Sequence, residues 1–254
     1  YLPDDKWKIS LMGSTGYRAP NVDDLSKVFE SIPGRIIVPN PNLKPEKTYN
    51  ADLQITKIFG KVVRWENVFF HTLFKDALIT DKYTFNGEDS IAYDGTKSAV
   101  FSVQNKQSAY IYGVSSNLYI SLIDHINITG GLTYTYGRIN TDTSDYPLDH
   151  ISPLYGRGGI KYYMNKFEAE AFVMFNGWKR MKDFNLGGED NQQYAPAEGM
   201  PAWYTINIRI NYSVNRNITL QAGVDNLLDT QYRVFASGIN APGRNIFGTL
   251  RLSF

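Results

Sequence analysis

Apolar and polar side chains alternate along most of this chain. In Tyr204–Ser213, "YTINIRINYS", Tyr204, Ile206, Ile208, Ile210 and Tyr212 take one parity, and Thr205, Asn207, Arg209, Asn211 and Ser213 the other. Ile126–Gly137, "INITGGLTYTYG", places Ile126, Ile128, Leu132, Tyr134 and Tyr136 on a single face. Tyr49, Ala51, Leu53 and Ile55 alternate with Thr48, Asn50, Asp52 and Gln54, as Ile218, Leu220, Ala222 and Val224 do with Thr219, Gln221 and Asp225. A period of two marks strands whose faces meet different surroundings. The pattern predicts ten strands, near 6–18, 46–59, 62–80, 99–122, 126–139, 153–164, 167–179, 201–213, 217–228 and 243–254.

The connections say more than the strands. Tight turns fall at Gly60-Lys61, around Asp124-His125, at Asn165-Lys166 and at Val214–Asn217. Long polar stretches fall between them, roughly at 19–45, 81–98, 140–152, 180–199 and 229–242. Strict alternation of short and long puts every tight turn at one end of an up-and-down antiparallel sheet and every long loop at the other. A soluble sandwich also shows period two. The strands here exceed the ~9–11 residues that cross a bilayer at a tilt, and aromatics gather at strand ends (Tyr134 and Tyr136; Trp203, Tyr204 and Tyr212) as interfacial girdles do. The expected fold is therefore all-β, an antiparallel up-and-down transmembrane β-barrel. Its polar faces would point inward, Glu168 and Glu170 among them, and Ile208 would face the bilayer.

Composition agrees with that reading. Of 254 residues, 18 are Tyr, 14 Phe and 4 Trp, the aromatic supply a girdle requires. Net charge is +1 with both signs interspersed, so no nucleic-acid footprint is present. Cysteine is absent, which removes disulfides and thiolate metal sites. No apolar run reaches the ~18 residues of a spanning helix. The opening "YLPDDKWK" has no initiator Met, basic leader or apolar stretch, and reads as a point inside a longer protein.

Four ordered stretches resemble motifs of the TonB-dependent outer-membrane receptors of Gram-negative bacteria. "GYRAPN" at Gly16–Asn21 is similar to that family's F/Y-R-A-P box, and "NPNLKPE" at Asn40–Glu46 to its N-P-x-L-K-P-E box. "GVDNLLDTQYR" at Gly223–Arg233 resembles the penultimate-strand motif, and "APGRNIFGTLRLSF" at Ala241–Phe254 the last strand with its terminal Phe. The resemblance implies a 22-stranded barrel occluded by an N-terminal plug. Residues 1–254 would supply about ten C-terminal strands, with the plug and early strands outside the chain. It also implies residence in the outer membrane, contact with its lipid, and TonB-driven import through the missing plug of a ferric siderophore or similar metal chelate. The span 19–45 becomes an extracellular loop with a short helix at Val22–Ser31, its feet tied to the rim by the two boxes. Pro20 and Pro41 remove donors where pairing stops, and Asn21 and Asn40 cap freed backbone groups.

Haem receptors of this family carry a ligand His between the two boxes, and "NVDDLSKVFESIPGRIIVP" contains none. A siderophore-like chelate is thus expected as cargo, with haem as the alternative and no resident cofactor. Candidate ligand contacts are Tyr17, Arg18 and Asn40 in the boxes, Trp178 and Arg180 in the basic-aromatic stretch "NGWKRMKDF", and Arg233 and Arg244 on the last long loop. A guanidinium beside an aromatic ring suits an anionic chelate, while Trp with cations also suits lipid head groups. Of the histidines, His125 reads as a turn residue and His71 as wall packing. His150, with Asp142, Asp145 and Asp149, has oxygen and imidazole donors but no recognised metal spacing. An enzyme is not expected: Asp149-His150 lacks a nucleophile motif, and Glu168 and Glu170 share one strand face.

Overall fold

The computed structural model describes residues 1–140, 145–185 and 190–254. In chain order the first strands are β1 (Trp7–Arg18), β2 (Phe29–Ile32), β3 (Arg35–Ile37), β4 (Glu46–Phe59), β5 (Val63–Lys82), β6 (Ser90–Tyr93), β7 (Thr96–Ile123) and β8 (Ile126–Asn140). The rest are β9 (Asp145–Pro147), β10 (Tyr155–Met164), β11 (Phe167–Asn176), β12 (Lys179–Arg180), β13 (Gly199–Met200), β14 (Trp203–Asn215), β15 (Ile218–Asp225) and β16 (Asn245–Leu252). Ten of them form one antiparallel wall in the order β1-β4-β5-β7-β8-β10-β11-β14-β15-β16, with β1 and β16 as its edges. Each wall strand pairs with the next wall strand in the chain, which is the up-and-down path that alternating tight turns and long loops predict. The sheet is an open sector of a barrel.

Register fixes the faces. Along one face, Ala171 of β11 stands beside Ile208 of β14, and Ile208 beside Val224 of β15. Farther along the sheet the same face carries Leu53 beside Phe69, Phe69 beside Val114, and Val114 beside Tyr134. This is the outward, lipid-facing side. The inward side is polar and charged. Arg157 pairs with Glu170 at 2.5 Å, Lys161 with Glu168 at 2.8 Å, and Arg209 with Asp225 at 3.5 Å. Phe172 lies between the guanidinium groups of Arg157 and Arg209, 4.0 and 5.1 Å from its ring centre. Glu168 and Glu170 thus do line the lumen, as their alternation predicts.

Three aromatic rings cover glycines directly opposite them. Phe70 stands opposite Gly113, Phe175 opposite Gly156, and Phe247 opposite Gly223. A Cβ on Gly156 would come 2.7 Å from the Phe175 ring. Such pairs let a strand bend while the ring restores the contact area that glycine gives up.

The wall strands fall within a few residues of their sequence-based bounds, and the departures have local causes. β11 ends at Asn176, with one further in-register bond from the Gly177 amide to the Leu154 carbonyl before Trp178 leaves the ladder. β15 stops at Asp225 because Asn226 takes a left-handed φ of 51°. The expected helix over Val22–Ser31 is only α1, Val22–Ser26. A capping box between Asn21 and Asp24 starts it, but Lys27 is already extended and Phe29 enters β2. The span 19–45 therefore holds a β2–β3 hairpin, and β3 runs parallel to residues 99–101 of β7.

The two boxes clamp this loop to the rim. Arg18 and Glu46 are register partners, 3.5 Å apart. They close on one residue of the next strand: Arg18 donates to the Leu78 carbonyl at 3.2 Å, and Glu46 accepts the Leu78 amide at 2.8 Å. Just below, Asp76 adopts φ 55°, and its carbonyl accepts from the Asn105 amide group at 2.7 Å. Asn105 also bonds both the amide and the carbonyl of Lys44, at 2.7 and 2.9 Å. Asn40 donates to the Val103 carbonyl at 3.0 Å and accepts from the Asn42 amide at 3.1 Å. Each of these bonds satisfies a backbone group freed where strand pairing ends.

Candidate functional site

At the long-loop end, three connections lock together over one sector of the wall. Their apolar kernel is Phe184, Met200 and Phe235, with the two phenyl rings edge-to-face at 5.3 Å. Asp190, 1% exposed, accepts from the His150 amide at 2.7 Å and the Asn185 amide at 2.9 Å. One carboxylate so ties the loop after β9 to the loop after the 3-10 turn at Met181–Asp183. Asn191 donates to the Ala236 carbonyl at 2.8 Å, which joins the last long loop. Lys179 is buried and donates to the Ile151 carbonyl at 2.5 Å. Burial lowers its pKa, with the Asp190 and Asp183 charges opposing the shift. Half-buried Tyr146 of β9 is pushed up to about 12 by desolvation and then by Asp81 and Asp149, so its hydroxyl keeps its proton.

Next to this locked cap an aromatic cleft of about 260 Å³ opens at the mouth. Trp203 and Tyr232 pack with ring centres 4.2 Å apart and planes tilted by 35°, and Tyr194, Met200 and Pro201 complete the wall. Arg233 is held at its side, donating from Nη1 to the Tyr194 carbonyl at 2.6 Å and from Nε to Asn240 at 3.0 Å. Tyr232 also lines a second cleft, of about 260 Å³, that descends the lumen face past Thr205, Asn207, Arg209 and Asp225. Both clefts are lined by Tyr232, so they adjoin at the top of the inner wall. Trp203 is opposite Asn176 and shares the inward parity of Thr205 and Asn207. It belongs to the mouth, and the girdle reading of the sequence is corrected at this residue: Tyr204 takes the outward place.

The other candidate residues are dispersed. Arg244 is bound into its own loop, its amide to Asp229 at 2.7 Å and its Nε to the Leu227 carbonyl at 2.8 Å. Arg180 stacks on Trp178 at 4.1 Å, and Trp178 donates to the Glu198 carbonyl at 3.3 Å. Trp178 lines a different cleft, with Tyr134, Tyr136 and Arg138. Arg18 and Asn40 serve the box clamp, and Tyr17 lies 80% exposed on the outward parity, opposite Lys47. His71 stacks on Tyr110 at 6.5 Å on the outer face, and His125 accepts the Tyr163 amide in its turn. Among the described residues no group of three His, Asp or Glu is arranged to hold a metal; Asp142 lies outside them. Tyr194, Trp203 and Tyr232, which line the mouth cleft, are not among the candidates named from the sequence. The only sequence signal for Trp203 is its parity, and for Tyr232 its place in the "DNLLDTQYR" stretch.

Known proteins agree with this architecture. The family model described as TonB dependent receptor-like, beta-barrel matches residues 1–227. The haemoglobin and haemoglobin-haptoglobin-binding protein of Haemophilus ducreyi is 26% identical over 99% of this chain and 30% of its own length. The ferric enterobactin receptor of Pseudomonas aeruginosa is 22% identical over 85% of this chain and 30% of its own length. Among solved structures, the copper transporter OprC superposes with a TM-score of 0.77 at 20% identity, over 99% of this chain and 38% of that one. The Pseudomonas aeruginosa ferric enterobactin receptor in complex with enterobactin gives 0.75 at 19%, over 100% of this chain and 39% of that one. The chain thus spans about a third of the length of these relatives, which are named as a binding protein, a receptor and a transporter. An outward apolar face, an inward charged face and a family match over most of the sequence make this chain a sector of an outer-membrane β-barrel of the TonB-dependent receptor family.

Proposed function

We propose that this sector belongs to a receptor that captures a ferric siderophore or similar metal chelate at its extracellular mouth and imports it with energy supplied through TonB. The observation that carries the reading is the tilted Trp203–Tyr232 aromatic pair beside Arg233, next to a polar cleft on the lumen face. The aromatic rings offer apolar contact area, and the guanidinium complements an anionic chelate. The chelate is cargo, and the reading assigns neither a resident cofactor nor an enzymatic step. Coupling to TonB rests on the family alone.

Haem is the second reading, favoured by the haemoglobin-binding relative. The segment between the boxes has no His to ligate it. Titration of the purified full-length receptor with haem and, in parallel, a panel of ferric siderophores separates the two. Saturable quenching of tryptophan fluorescence by a ferric siderophore, weakened at least tenfold in Trp203→Leu, is the expected result. A one-to-one shift of the haem absorption band with no siderophore binding would replace this reading by the second.

A further inference from the structure

The outward face of β4 reads Lys47, Tyr49, Ala51, Leu53, Ile55, Lys57. Ten residues separate the two lysines. At ~3.3 Å per residue and a tilt near 40°, that is about 25 Å along the membrane normal, the height of a barrel's apolar band. The two ammonium groups therefore mark the two interfaces. Lys57 lies over the Trp7 ring, 4.0 Å from its centre, at the tight-turn end. Lys47 lies at the long-loop end, hence at the outer leaflet.

At that outer level the neighbours are unusual. Lys47 is the direct register partner of Lys75 on β5 and of Tyr17 on β1. All three side chains are exposed. One step below them lie Tyr49, Leu73 and Tyr110, the rim of the apolar band. Like charges directly opposite on adjacent strands repel. Among the described residues neither lysine has an ion-pair partner, while the lumen-facing Lys161 and Lys106 of β7 each do. The carboxylate nearest in register, Glu46, belongs to the inward parity and is engaged with Arg18 and Leu78.

We propose that Tyr17, Lys47 and Lys75 form a site for the phosphate of an anionic phosphoglycolipid of the outer leaflet. A phosphate between the two ammonium groups relieves their repulsion, the Tyr17 hydroxyl adds a donor, and acyl chains lie along Tyr49, Leu73 and Phe69. Long basic side chains at strand ends reach the headgroup level while their stems stay on apolar surface. The site stands on the barrel faces alone and is independent of the transported ligand.

The test uses the full-length receptor in phosphatidylcholine nanodiscs doped with bis-phosphorylated lipid A, with the lipid A kept after detergent extraction counted by mass spectrometry. Lys47→Gln/Lys75→Gln should retain at least fivefold less than the parent, and dephosphorylated lipid A should be retained equally poorly by both. Lys57→Gln, at the other interface, should leave retention unchanged. Heat-modified gel mobility verifies that each variant is folded. Equal retention by the double variant, or parent retention indifferent to the lipid's phosphates, overturns the proposal. Full competition by millimolar inorganic phosphate also overturns it, since the site would then hold a free anion.

Discussion

The two faces of β11 and β14 are built from the same strands and obey different rules. Outward, Ala169, Ala171 and Val173 meet Ile210, Ile208 and Ile206 as independent apolar contacts. Inward, Glu168, Glu170 and Phe172 stand beside Asn211, Arg209 and Asn207, and each side chain there depends on a neighbour. Asn207 is the clearest case, since it accepts the Asn226 amide at 3.0 Å and so holds the foot of the last long loop. The outer face is specified by its solvent, one position at a time. The inner face is specified by partners, so a change there spreads.

Substitutions can break that contrast. Ile208→Arg places a charge near the middle of the lipid-facing band and should cost roughly 2–4 kcal/mol. Reversible unfolding from lipid vesicles in denaturant measures it, and a neutral result would reverse the faces. Asn207→Leu should cost about 1–3 kcal/mol by orphaning the buried Asn226 amide, with faster hydrogen exchange over 226–244. Unchanged exchange there would detach the loop from the inner wall. Arg209→Gln should cost below about 1 kcal/mol, because Arg209 and Asp225 are each more than a third exposed and solvent screens their pairing. A larger loss would mean that the Phe172 stack, not the ion pair, anchors Arg209.

The smallest effect concerns pH. Burial raises the Asp81 carboxyl, but hydrogen bonds from Lys106 at 2.6 Å and from the Lys82 amide at 2.7 Å outweigh it and hold the pKa below the usual range. A depressed carboxyl pKa contributes stability that is complete above the unfolded value near 4 and is lost as pH falls through the folded value. Exchange protection at the top of β5 and β7 should therefore weaken by a few tenths of a kcal/mol at acid pH. Asp81→Asn should show the weaker protection at all pH values, and a parent without pH dependence would rule the pair out as a contributor.

The wall was legible in the sequence because its chemistry is local: residues two apart share a face, so Ile206–Ile210 declares both strand and side. The cap over the mouth was not. Asp190 meets the His150 amide across 40 residues, and Asn191 meets Ala236 across 45. No periodicity encodes such meetings. The β3 strand pairs in parallel with β7 over three residues, too few to leave a pattern. Trp203 shows the intermediate case: its strand was evident, but an aromatic at a strand end suits either a girdle or a mouth, and only register decides.

β7 is 28 residues long, and the level of Lys47 and Lys75 crosses it at Ser108. The dozen residues before that level, about 40 Å of chain at ~3.3 Å each, stand clear of the bilayer, braced by β5, β6 and β3. Outer-leaflet glycolipids carry their sugars through that same height. The paired strands thus raise a stiff pier into that sugar layer, and the long loops are carried on it.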